Sequence, residues 1–151
     1  MSLTSRFAGL SLATTIGLAG VGLMPAPFNN GDANAAEKLT GVVEMFTSQG
    51  CSSCPAADKI LTKYAERGDI LALSWHVDYW NYLGWKDTFS KPEFTDRQQR
   101  YAISFHRRGV YTPQAVINGR DHAVGSRRAD IEALIADYEQ SGKGLTISVN
   151  A

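Results

Sequence analysis

VVEMFTSQGCSSCP, at residues 42–55, is the stretch from which the architecture of this chain can be read. Its apolar first part, residues 42–46, is typical of a buried β-strand, and Pro55 suits the first turn of the helical pattern that follows. Cys51 and Cys54 therefore lie at a strand-to-helix turn. Two sulfurs at this spacing can close a small ring, and the amides of the first helical turn favour a thiolate at the first cysteine. The pattern predicts a dithiol suited to thiol–disulfide exchange.

Two other interpretations of the cysteine pair stay open. Cys51 and Cys54 could be ligands of a soft metal ion, with His76 as a third ligand, because thiolates and imidazole suit Cu(I). The sequence holds no second cysteine pair of the kind that completes a structural zinc site. The pair could also be a permanent structural disulfide, although closing so short a ring constrains the unfolded chain little.

Residues 1–35 have the organisation of a secretory signal. Arg6 precedes an uncharged, apolar stretch at residues 7–24, and Ala33-Asn34-Ala35 offers a small-residue cleavage pattern. A membrane anchor is the alternative, but glycines dilute the apolar stretch and prolines end it. We therefore expect a signal peptide at residues 1–35, no membrane partner after its cleavage, and a periplasmic or secreted protein in a compartment where disulfides persist.

Residues 36–151 are long enough for one small domain. The whole chain has 15 basic and 15 acidic residues and thus no formal net charge at pH 7. A balanced charge gives no reason to expect nucleic acid or an anionic membrane surface as a partner.

The remaining elements follow in the order helix, strand, helix, hairpin, helix after the first strand. They are a first helix that stops near Gly68, a strand at residues 70–77, a helix whose Ser90 and Glu93 have capping-box spacing, a hairpin at residues 114–124 with Asn118-Gly119 at its turn, and a helix at residues 131–138. A strand–helix–strand order implies that the first two strands are parallel.

Aromatic and titratable side chains crowd the end of the second strand and the segment after it. His76 and Asp78 stand at its start, and Trp80 and Trp85 follow. Because parallel strands end at the same edge of a sheet, we expect this segment to emerge beside Cys51. His76 could stabilise a thiolate, Asp78 could move a proton, and the tryptophans could contact a partner polypeptide. The alternative is that the side chains form a satellite hydrophobic cluster under a long loop.

The β-α-β-α-β-β-α order, with a dithiol after the first strand, resembles the thioredoxin superfamily. More narrowly, FTSQGCSSCP at residues 46–55 and HVDYWNYLGW at residues 76–85 are similar to the signature of secreted bacterial thioredoxin-like proteins designated a domain of unknown function. The resemblance covers the chain from about residue 39 onward. It implies an α/β fold, a thioredoxin-like sandwich with a mixed central sheet.

The resemblance also implies roles for particular residues. Cys51 would exchange with thiols or disulfides of protein substrates, and Cys54 would resolve the mixed disulfide, with no diffusible cofactor. Thr112-Pro113 stands where the superfamily has a proline, usually cis, that packs against the dithiol and shapes the edge where a peptide docks. Members of the resembled family continue further, so that the half-buried strand pattern at residues 145–149 suggests a version lacking a β-rich C-terminal extension.

The chain departs from the thioredoxin pattern around the dithiol. Gly50 replaces a tryptophan, and Ser52-Ser53 replaces Gly-Pro, so the redox potential of a thioredoxin cannot be carried over. Glu44 lies near the place of the buried acid that thioredoxins use for proton transfer, but one residue further from the cysteine. The alternative for Glu44 is an exposed carboxylate on the strand, since acids are rarely buried.

Overall fold

The computed structural model describes residues 39–142 and Leu145. The predicted signal peptide lies outside these residues, and the predicted strand at residues 145–149 does so apart from Leu145. No helix within the described part of the chain is long and apolar enough to cross a bilayer.

A mixed four-stranded sheet forms the centre of the described residues, in the order β2-β1-β3-β4. Strand β1 (Gly41–Thr47) pairs in parallel with β2 (Ile70–His76) and antiparallel with β3 (Gln114–Ile117). Strand β3 in turn pairs antiparallel with β4 (Asp121–Val124). The parallel pair brings the ends of β1 and β2 to one edge, because Thr47 stands opposite His76.

The helices complete the predicted β-α-β-α-β-β-α order. They are α1 (Cys54–Arg67), α2 (Pro92–Ser104) and α3 (Arg128–Gln140), and a short 3-10 helix (Asn81–Leu83) lies between β2 and α2. The predicted α/β class, of thioredoxin-like arrangement, is confirmed.

Alternation along β1 divides the core between the two faces of the sheet. Val43 and Met45 belong to a cluster with buried side chains of α1 and α3, whereas Phe46 belongs to a second cluster with aromatic side chains of α2 and of the segment after β2. Helices α1 and α3 therefore cover one face, and α2 covers the other.

Two local predictions have different outcomes. Asn118 and Gly119 have positive φ values of 53° and 67°, and the strands on either side pair antiparallel, so the predicted hairpin is confirmed, with residues 118–120 between the two strands. The prediction of a capping box at Ser90 and Glu93 is wrong, because Lys91 is the N-cap of α2 and makes no side-chain cap bond. The Ser90 hydroxyl instead donates a hydrogen bond to the Asp87 carbonyl, 2.8 Å away.

Candidate functional site

Cys51 and Cys54 are joined in a disulfide at the start of α1, with their Cα atoms 5.4 Å apart. Cys54 is the first residue of the helix, and the N-cap, Ser53, provides no side-chain cap bond. The amides of the first turn therefore have no cap side chain as an acceptor, which favours a thiolate held there. Cys51 is 3% exposed and Cys54 is fully buried, so both sulfurs are well covered in this oxidised form.

Trp80 connects the turn before Cys51 to Thr112. Its indole Nε1 donates a hydrogen bond to Thr112 Oγ1 at 2.8 Å. A Cβ added at Gly50 would lie 3.1 Å from the Trp80 Cβ, so Trp80 occupies the space that a side chain at residue 50 would need. The departure from the thioredoxin pattern at Gly50 thus has a physical reason, since an aromatic residue from the loop after β2 packs in its place.

Pro113 packs beneath the first turns of α1. The Thr112-Pro113 peptide bond is cis, as the resemblance implied. Gly125 donates its amide to the Pro113 carbonyl at 2.9 Å, and a Cβ on Gly125 would approach Pro113 Cβ to 3.0 Å and Ala57 Cβ to 3.1 Å. Ala57 lies one turn beyond Cys54, so Pro113 and the dithiol helix share one tightly packed region.

A buried amide holds the segment on either side of Thr112-Pro113. Gln98 of α2 is fully buried. Its Nε2 donates to the Tyr111 carbonyl at 2.7 Å and to Gln114 Oε1 at 2.9 Å, and its Oε1 accepts from the Tyr79 hydroxyl at 3.1 Å. These bonds hold the backbone carbonyl of Tyr111 before the proline and the side chain of Gln114 after it.

His76 is paired with a buried carboxylate, Asp87. His76 Nδ1 lies 2.7 Å from Asp87 Oδ2, and the Asp87 side chain is entirely inaccessible. Asp87 also accepts hydrogen bonds from the amide of Gln49 at 2.8 Å and from that of Phe89 at 2.9 Å. Burial opposes ionisation, but these three donors together hold the pKa of the Asp87 carboxyl below its usual value.

Thr47 and Asp58 lie on the same face of the sheet as His76. The Thr47 hydroxyl is fully buried and donates to Asp58 Oδ1 at 2.7 Å. Asp58 follows Cys54 by one helical turn, so that its side chain lies on the same side of α1. The sheet edge below the dithiol is therefore polar.

Glu44 lies on the opposite face of the sheet from α1. It is 3% exposed, so the alternative of an exposed carboxylate is wrong. It accepts hydrogen bonds from Trp75 Nε1, Arg97 Nε and the Tyr101 hydroxyl at 2.8, 2.5 and 2.5 Å. Burial, followed by the bond to Glu44, raises the pKa of Tyr101 to about 12. The structure does not bring Glu44 together with the dithiol.

Asp78 is likewise engaged elsewhere. Its Oδ1 accepts a hydrogen bond from the Thr95 hydroxyl at 2.5 Å, and its amide donates to the same hydroxyl oxygen at 3.2 Å. These bonds tie the segment just after β2 to α2.

The predicted metal ligands do not form a metal site in this oxidised form. Among the described residues, no three His, Cys, Asp or Glu side chains are placed to hold an ion. The Nδ1 of His76 is already occupied by Asp87, and each cysteine sulfur is bonded to the other.

Asp87 and Gln98 were not predicted from the sequence as site residues. Each residue acquires its role from partners distant in the chain, such as Gln49 for Asp87. The local sequence offers a signal for Asp87, a carboxylate in a segment dense in aromatic residues, and none for Gln98.

Comparison with known proteins gives a family. None of the curated proteins compared matches the chain. The crystal structure of protein AGR_C_4864 from Agrobacterium tumefaciens, a structural genomics target, is similar at 51% sequence identity with a TM-score of 0.70. The match covers 74% of this chain and 50% of that one, so this chain spans about half the length of its solved relative. A family model described as protein of unknown function (DUF1223) matches residues 42–151, and the chain belongs to that family.

Proposed function

We propose that this protein is a thiol–disulfide oxidoreductase of the thioredoxin superfamily that acts, after export to the periplasm or beyond, on cysteines of other polypeptides. The observation that carries the proposal is the Cys51–Cys54 disulfide at an uncapped helix N-terminus, in the same packed region as Thr112-Pro113. A staple of this length adds little stability, so its position at a helix end points to reactivity.

Oxidation of a substrate takes place in two successive thiol–disulfide exchange steps. A substrate thiolate attacks the Cys51 sulfur, the bond between the cysteines breaks, and Cys54 leaves as a thiolate that takes up a proton. A second substrate thiolate then attacks the mixed disulfide, which yields a substrate disulfide and the reduced Cys51–Cys54 pair. The reverse sequence reduces a substrate disulfide, with Cys51 attacking and Cys54 resolving, and the relative reduction potentials set the direction.

The residues around the dithiol position the substrate or the sulfurs in this proposal, or take no part in the reaction. Thr112 and Pro113 shape the edge along which a substrate peptide lies, and Gln98 holds that edge. His76 is oriented by Asp87 on the α1 face of the sheet. Glu44 and Asp78 are left outside the chemistry because their oxygens are bonded to α2.

Equilibration of the protein in glutathione redox buffers tests the proposal. We expect a reversible two-electron couple and catalysed exchange with a model protein disulfide. Cys51→Ser should abolish the exchange, and Cys54→Ser should accumulate the mixed disulfide. His76→Ala should change the rate by less than about tenfold, as for a residue one step from the sulfurs.

A metal titration of the reduced protein separates the main alternative. Stoichiometric Cu(I) binding that His76→Ala weakens, together with no exchange activity, would replace the proposal with a soft-metal carrier. A pair that stays oxidised across accessible potentials and exchanges with nothing would identify a structural disulfide.

A further inference from the structure

The loop after β2 exposes large apolar side chains beside the dithiol turn. Tyr82 is 77% exposed, Leu83 54%, Trp85 62% and Phe89 63%. They account for most of the large exposed hydrophobic residues in the described part of the chain; the others are Leu71 and Ile103. A concentration of this kind on one short loop is typical of a binding surface.

Internal hydrogen bonds hold this aromatic loop, residues 80–89, in one shape. Asn81 accepts from the Asp87 amide at 3.0 Å and donates its side-chain amide to Ser90 Oγ at 3.0 Å. The buried Asp87 carboxylate binds the Phe89 amide in addition. The fold therefore displays the rings on a fixed scaffold, which reduces the entropy lost when a partner binds.

The aromatic loop is bonded directly to the turn that carries the cysteines. Gln49, two residues before Cys51, donates its backbone N–H to Asp87, and its side-chain Oε1 accepts a hydrogen bond from Trp85 Nε1 at 2.9 Å. The backbone and the side chain of Gln49 are thus both bonded to the aromatic loop. A polypeptide that presents a sulfur to Cys51 would have its flanking residues beside these rings.

The charges of the aromatic loop decide what kind of partner fits. Lys86 is its one exposed charged residue, and Asp87 is buried against His76. A nearly neutral surface recruits neither an acidic nor a basic peptide by long-range attraction. A lone lysine is also far from the basic cluster that an anionic membrane requires.

We propose that the aromatic loop selects polypeptide substrates whose reactive cysteine is flanked by apolar side chains. The inference rests on the proposed function and names its substrate class. Such segments are buried in folded proteins, so the preferred substrates are unfolded or newly exported chains.

The rate at which two peptides reduce the oxidised protein tests the inference. The peptides have equal length and one cysteine each. One has Leu and Phe on either side of the cysteine, and the other has Ser and Asn. We expect the apolar peptide to react at least about tenfold faster, which corresponds to about 1.4 kcal/mol. The double variant Tyr82→Ser, Leu83→Ser should bring the ratio of the two rate constants close to one.

Ile103→Ser is the matched control, because Ile103 is 75% exposed but lies on α2 outside the aromatic loop. This variant should keep the ratio of the wild-type protein. Equal rates for both peptides in the wild type, or a ratio that survives the double variant, would overturn the inference and leave the proposed function standing. Failure to exchange with either peptide and with glutathione would remove the proposed function, and the inference with it. Sedimentation showing a wild-type dimer that Tyr82→Ser dissociates would assign the loop to self-association instead.

Discussion

Replacing Asp87 with alanine should be one of the most damaging single changes in this fold. The carboxylate is buried and binds the amides of Gln49 and Phe89 and the ring of His76. Asp87→Ala leaves these three donors without their acceptor. Each hydrogen bond to a charged group contributes about 1.5–3 kcal/mol. Since water can partly replace the acceptor for the His76 ring, which is 22% exposed, we expect a loss of about 3–5 kcal/mol in the free energy of unfolding, mainly from the two backbone amides.

Urea unfolding followed by tryptophan fluorescence measures this loss. Asp87→Asn keeps one acceptor oxygen and should lose less, about 1–3 kcal/mol. Asp96→Ala is the control, because Asp96 is an exposed acid on α2. Its free energy of unfolding should stay within about 0.5 kcal/mol of the wild type. If Asp87→Ala lowers the free energy of unfolding by less than about 1 kcal/mol, this carboxylate does not hold the aromatic loop to the dithiol turn, and that reasoning is refuted.

Further expectations concern pH, packing and reactivity. The pKa of Asp87 is lowered in the folded state, so its contribution to stability is complete above the unfolded-state pKa of about 3.9 and is lost as pH falls through the folded-state pKa. The difference in free energy of unfolding between wild type and Asp87→Asn, measured by urea unfolding, should therefore become smaller below about pH 4. A difference that stays constant with pH would contradict this. Gly125→Ala should destabilise by about 1–3 kcal/mol through overpacking, detectable as a lower thermal midpoint, and an unchanged midpoint would show that the site can relax. Alkylation of the reduced protein followed by mass mapping should label Cys51 before Cys54 and at a pH below the free-thiol pKa of about 8.5; labelling of Cys54 first would reverse the proposed order of attack. Glu44→Gln should lower the free energy of unfolding by about 1–3 kcal/mol, because the buried carboxylate loses charge-assisted hydrogen bonds while its partner Arg97 is 39% exposed and can be hydrated. The exchange rate should stay within about twofold, and a large loss of exchange at intact stability would restore Glu44 to the chemistry.

The parts of the site that could be predicted are those with a local signal. The apolar run of β1 and the two cysteines placed the dithiol at a helix start. Thr112-Pro113, by contrast, was identified from the resemblance to the thioredoxin superfamily, which has a proline at that point of the chain. The hairpin turn at Asn118-Gly119 was visible because its backbone conformation demands particular residue types.

The remainder depends on contacts between distant parts of the chain. Glu44 meets Arg97, 53 residues away, across the face covered by α2, and no single sequence reveals that pairing. Ser90 shows a different error, since its hydroxyl bonds the Asp87 carbonyl only three residues earlier, a local partner that competes with the predicted capping box.

Because the disulfide is almost completely buried, the structure must open before a thiol can attack it. A dissolved thiol must wait for a fluctuation that uncovers Cys51, which is 3% exposed. The reduction rate should then level off as the reductant concentration rises, because opening becomes the slow step. A polypeptide whose docking displaces the cover is not subject to this limit. Burial would thus slow exchange with small thiols such as glutathione, which still reach equilibrium with the couple given time, while a docked polypeptide exchanges faster.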